Sequence, residues 1–239
     1  MVQADCPSGD TCVTAANSDG GHIITGGYIQ GHCSTNTGTT CSFNADCPDA
    51  GETCVYSVGS HSSGLVNSVD NIFASTWTPF SEGFYNAIGY YAQRTDKRLN
   101  AGDFITQAEN SVYKDPSQYP CQKNNVLLVT DGMSTTDLNP SVTSLAVAYN
   151  DGDGRITTTS STCPKYSGSV NVDDLAWLAK HRNIRNFSET PLTTDEAINQ
   201  KTIDTYVVFN GEPSNDAGEC NPDTLMSETA ENGCGTTPG

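Results

Sequence analysis

Three clusters in this chain have residue types and spacing suited to chemistry. The first closes an apolar run: Asn125–Gly132 reads NVLLVTDG, so Asp131 sits directly beyond a strand-like segment. In open α/β sheets ligands bind outside the carboxyl ends of the strands, and a carboxylate there is a candidate ligand for a hard cation such as Ca2+ or Mg2+. The competing reading is an aspartate that caps the following turn. The second cluster is Asn150-Asp151-Gly152-Asp153-Gly154-Arg155-Ile156, which looks like the first half of a calcium-binding loop. Oxygen ligands recur two apart and a glycine follows for the sharp turn. Aligned on Gly154, however, Tyr149 falls where the first aspartate belongs and Ser160 where the bidentate glutamate belongs, so this is no regular EF-hand. Asp173 and Asp174, which open a helix-like VDDLAWLAKHR, could reach back to the loop. Equally, both could serve only as helix-start acids favoured by the dipole. The third cluster is cysteine: Cys6, Cys12, Cys33, Cys41, Cys47, Cys54, Cys121, Cys163, Cys220 and Cys234.

The elements that position these groups follow from periodicity. Thr78-Pro79-Phe80-Ser81-Glu82 carries a candidate N-cap, a proline suited to the first helical position and a first-turn acid. Phe80, Phe84, Ala87, Ile88 and Tyr91 then recur at helical spacing, predicting a helix over 79–93. Further helices are expected at 101–111, 138–148, 172–182, 195–201 and 222–231. Buried strands are expected at 125–130 and 203–209, the first apolar on both faces. Trp177, beside Leu175 and Leu178, reads as a core residue. Strands alternating with helices argue an α/β chain with a parallel sheet.

The first quarter differs in kind. Six of the cysteines crowd into it, and DCPSGDTCV from Asp5 is echoed by DCPDAGETCV from Asp46. Between these copies HIITGGYIQG is hairpin-like, and a strand at His22–Ile29 could cover the edge of the main sheet. Residues 1–58 therefore form a cysteine-rich hairpin and loop segment, and 59–239 the α/β portion. C-x2-C knuckles and C-x-x-C-H are absent, which excludes zinc-ribbon and covalent-haem readings and leaves disulfides. Cys220 and Cys234 could staple the C-terminal loop.

Four segments in order resemble the PilY1/PilC family of type IV pilus proteins: TPFSEGFYNAIGYYAQ, PCQKNNVLLVTDGMSTTD, YNDGDGR and VDDLAWLAKHRNIR. More closely, they are similar to its von Willebrand factor A domain, over about Gly64 to Gly235. The resemblance implies a Rossmann-like sheet with flanking helices. It also implies an adhesion site in which a threonine and the TDG aspartate join a D-x-S-x-S loop around a divalent cation. Carried over, Thr78 matches the threonine and Asp131 the aspartate. No D-x-S-x-S occurs in this sequence, and Ser75-Thr76-Trp77 stand where the family shows glycines. The chain thus reads as such a domain without its beginning, and its TDG strand would need a partner along one edge.

Composition bounds the function. Lys+Arg number 11 against Asp+Glu 28 in 239 residues, a formal net charge of −17. Nucleic acid and anionic membrane surfaces are disfavoured as partners, and cations favoured. Ten cysteines point to an oxidising compartment, and no apolar run reaches the length of a membrane span. G-x-S-x-G, H-E-x-x-H and the phosphate-binding G-x-x-x-x-G-K-[ST] are all missing, so neither an enzyme nor a nucleotide site is expected. The expectation is an extracellular or cell-surface, pilus-associated adhesion or assembly module. Its partners would be pilus subunits, a surface or host ligand, or a chain supplying the missing strand. The alternative is a disulfide-stapled structural subunit of an extracellular appendage with no metal-dependent binding.

Overall fold

A computed structural model describes residues 31–36, 38–41, 44–55, 66, 78–111, 113, 115–117, 119, 122–154, 163, 168–189, 201–211 and 213–234. The architecture is mixed α/β. Near the N-terminus, β1 (Gly31–Cys33) pairs antiparallel with β2 (Thr40–Cys41) and β3 (Cys54–Val55). Strands this short hold no core, so covalent bonds and a buried carboxylate do the work. Disulfide Cys41–Cys54 joins β2 to β3, and Cys33–Cys47 ties β1 to the connection between them. The second copy of the cysteine repeat therefore bonds outward, each of its cysteines to one upstream. Glu52 accepts the backbone N–H groups of Asn36 (2.7 Å) and Thr35 (3.0 Å). Its pKa is lowered, chiefly by the Asn36 N–H. The expected strand at 22–29, with Cys6 and Cys12, lies outside the described residues.

The larger part is built from α1 (Phe80–Ala92), β4 (Asn124–Thr130), α2 (Pro140–Ala148), α3 (Val172–His181), β5 (Arg182–Asn183), β6 (Ser188–Glu189), β7 (Ile203–Phe209) and α4 (Pro222–Cys234). β4 and β7 run parallel, in register from Asn124 opposite Ile203 to Thr130 opposite Phe209. Parallel neighbours require a crossover, and here it passes through α2 and α3. Phe84 and Ile88 of α1, Val142 and Leu145 of α2, Leu175 and Leu178 of α3 and Leu225 of α4 meet Leu128 and Ile203 in one core. Apolar positions at helical spacing thus point at one face of the sheet that β4 and β7 form among the described residues. α1 stops at Gln93, which takes a left-handed conformation (φ 54°). Gly89 in that helix is obligatory, because a Cβ there would fall 1.9 Å from the Lys97 carbonyl oxygen.

Several expectations need correction. The β4 strand is not buried on both faces: Leu127 and Val129 are 61% and 64% exposed, and Tyr206 and Val208 beside them on β7 are each 48% exposed. The helices that pack on this sheet share the opposite face, where Leu128 and Ile203 are buried. No helix spans 101–111. Its carboxylates take local backbone donors instead: Asp103 accepts from the Asn100 N–H (2.9 Å) and Glu109 from the Thr106 N–H (2.9 Å). Such side-chain bonds compete with helix formation. Trp177 is only partly buried; it stacks on His181 with 4.8 Å between ring centroids. The Cys220–Cys234 staple is not formed: Cys220 bonds Cys163, and Cys234 carries a free, exposed thiol. Residues 195–200 and Cys121 lie outside the described residues.

Candidate functional site

The residues just past β4 form a folded loop, held together by their own polar groups. Thr130 Oγ1 donates to the Gly132 carbonyl (3.0 Å), which sets the turn at Asp131. The Asp131 side chain is exposed. Thr78 does come to this loop, but through its main chain. Its carbonyl accepts the Thr135 N–H (2.9 Å) and its N–H donates to Thr135 Oγ1 (2.8 Å). Thr78 therefore meets the loop at Thr135, whereas Asp131 directly follows the last residue of β4. Among the described residues, no hydrogen bond joins their side chains.

At the centre of this region is Asp137, which sequence reasoning missed. It is 1% exposed. Its carboxylate accepts the backbone N–H groups of Ser81 (2.8 Å) and Glu82 (3.0 Å), the hydroxyl of Ser169 (3.0 Å) and the hydroxyl of Ser134. α1 is therefore capped by a carboxylate from a distant loop, not by Thr78. Pro79 occupies the cap position and bonds no backbone donor through its side chain. The arrangement is reciprocal, because buried Glu82 accepts the Asn139 N–H (3.0 Å) at the start of α2. Gly168 closes the pocket from below: a Cβ there would lie 1.8 Å from the Ser134 carbonyl oxygen. Only D/N-cap chemistry within a few residues is visible in a sequence; Asp137 acts across more than fifty.

The second candidate lies between the loop after α2 and the first turn of α3. One carboxylate oxygen from each of Asp151, Asp173 and Asp174 lies within 4.8 Å of the others. Of Asn150, Asp151 and Asp153, it is Asp151 that joins this group of carboxylates. Asn150 turns onto its own loop, accepting the Gly152 N–H (3.0 Å) and donating to the Val147 carbonyl (2.9 Å). Asp153 is exposed, and its N–H donates to Asp151 Oδ1 (2.9 Å). Gly152 and Gly154 hold the loop at φ 95° and 83°, values that favour glycine. Asn232 near the end of α4 donates to Asp151 Oδ2 (3.0 Å). Burial pushes Asp174 up to about 7; the Asp151 N–H opposes this, while the charges of Asp151 and Asp153 reinforce it.

Cys33, Cys41 and Cys47 also cluster, but their sulfurs are consumed in disulfides and hold no metal. A shallow cleft of about 430 Å3 lies between α1 and α2, lined by Tyr85, Lys97, Ser144 and Tyr149 among others. Comparison with known protein families, with curated proteins and with solved structures finds no match to this chain. Among the described residues no helix is long and apolar enough to cross a membrane. The three disulfides among the described residues fit an extracellular setting.

Proposed function

We propose that this chain is an extracellular adhesion or assembly module of the pilus-associated type that its sequence resembles, built on a von Willebrand factor A-like core. One observation carries the reading: Leu127, Val129, Tyr206 and Val208 stand exposed together on the uncovered face of a parallel sheet. Parallel sheets are ordinarily covered on both faces, and contiguous exposed apolar surface marks an interaction site. A partner, a pilus subunit or a chain supplying the rest of the sheet, seats there. The test is native mass of the purified particle, wild type beside Val129→Lys/Tyr206→Lys. A second chain that co-purifies with wild type and is lost from the variant supports the proposal. A lone wild-type chain at physiological concentration sinks it.

A second reading is a structural subunit without metal-dependent binding. The bonding of Asp137 supports it, since protein donors surround this carboxylate of the post-β4 loop. Asp131→Ala separates the two. Cation-dependent adhesion fails under the first and assembly is indifferent under the second.

A further inference from the structure

We propose that the loop 150–154 and the first turn of α3 build a calcium site, ligated by Asp151, Asp173 and Asp174 and separate from the post-β4 loop. The proximity of three carboxylates does not by itself make a site. What points to a ligand is Asp174 Oδ2, which accepts no hydrogen bond, in a side chain that is 0% exposed. Its other oxygen accepts the Asp151 N–H (3.1 Å), which fixes the carboxylate against the Asp151 side. A buried carboxylate oxygen without a donor is costly, and a cation removes that cost directly. The surroundings are arranged to hold anions together. The amide of Asn232 donates to Asp151 Oδ2, and the Asp153 N–H donates to Oδ1. The positive end of α3 lies under Asp173 and Asp174.

Ligand chemistry chooses the ion. All three groups are hard oxygen donors, which suits calcium or magnesium and not the softer transition metals. Calcium–oxygen distances of about 2.3–2.6 Å give a coordination sphere about 5 Å across, which spans oxygens within 4.8 Å of one another. The smaller, stricter magnesium shell is a poorer fit. Asp151 is only partly buried, leaving one side open for the waters or carbonyls that calcium needs to reach six or more ligands.

The oxidised full-length protein, stripped with chelator, is titrated with CaCl2 alone, following heat and melting temperature. The expected result is one calcium per chain at this site, a raised melting temperature, and an affinity lowered about tenfold or more in Asp174→Asn. Asp151→Asn, at the more exposed ligand, is the second variant should Asp174→Asn fail to fold. Asp131→Ala keeps the binding. No calcium bound at millimolar concentration, or binding that survives both asparagine variants, overturns the site. Binding lost only in Asp131→Ala overturns it too, and places the ion at the post-β4 loop. Each outcome is independent of whether Val129→Lys/Tyr206→Lys abolishes assembly.

Discussion

Replacing Asp137 by alanine should be among the most damaging single substitutions in this chain. The side chain receives two backbone N–H groups and two hydroxyls in a pocket closed to water. The hydroxyls have alternatives: Ser81 and Ser169 already share a bond of 2.9 Å, and Ser134 also reaches the Thr78 carbonyl at 3.3 Å. The Ser81 and Glu82 N–H groups have none, because the first turn of a helix lacks internal acceptors. Leaving two buried donors unsatisfied costs about 1–3 kcal/mol each, so Asp137→Ala should lose about 4 kcal/mol in all. That is a large share of the roughly 5–15 kcal/mol that holds a domain folded. Asparagine should not rescue it. It keeps one acceptor but turns an NH2 group toward donors, and it loses the charge that favours a helix N-terminus. Urea denaturation of the oxidised protein measures both variants, read from the midpoint at unchanged slope. An Asp137→Ala protein within about 1 kcal/mol of wild type would refute the account of how α1 is anchored.

Two other expectations concern charge and cross-linking. Glu109 is held at about 2 by the Thr106 N–H, by Arg98 and by the Thr106 hydroxyl, against an ordinary value of 4.5. A depressed carboxyl stabilises the fold above its unfolded pKa and loses that contribution as pH falls toward its folded one. Between pH 5 and pH 2, wild type should therefore lose more stability than Glu109→Gln, as followed by denaturation; parallel curves would contradict this. Removing Cys163–Cys220 with the double serine variant frees a loop of 57 residues and should cost about 4 kcal/mol, measured under the same oxidising conditions.

Much of the fold was legible because its signals are local. The apolar spacing of Phe84 and Ile88 and the Pro79 punctuation marked α1, and the runs NVLLVT and IDTYVVF marked the sheet. Their parallel pairing followed from the alternation with helices. The failures share a physical origin in non-local bonding. Periodicity cannot tell a strand covered twice from one covered once, so Leu127 and Leu128 look alike in sequence although their exposures are 61% and 8%. Asp137 carries no mark, since its donors arrive from α1 and from Ser169. The 101–111 stretch has helical composition, but Asp103 and Glu109 draw its N–H groups into turns. Asp173 and Asp174 were visible as helix-start acids; that Asp151 turns inward while Asn150 folds back was not.

The parallel pairing of β4 and β7 also dictates a history for the chain. Their partners stand about 80 positions apart, and joining strands so distant is slow because the loop must be closed before any ladder bond rewards it. During that interval the flanks of NVLLVT are open to any passing strand. The Cys163–Cys220 bond ties the crossover to the segment after β7 and shortens the search once it has formed. The oxidising compartment is thus a condition of assembly in time as well as of endurance: a newly made chain must find its thiol partner early, or meet a neighbour's strand before its own.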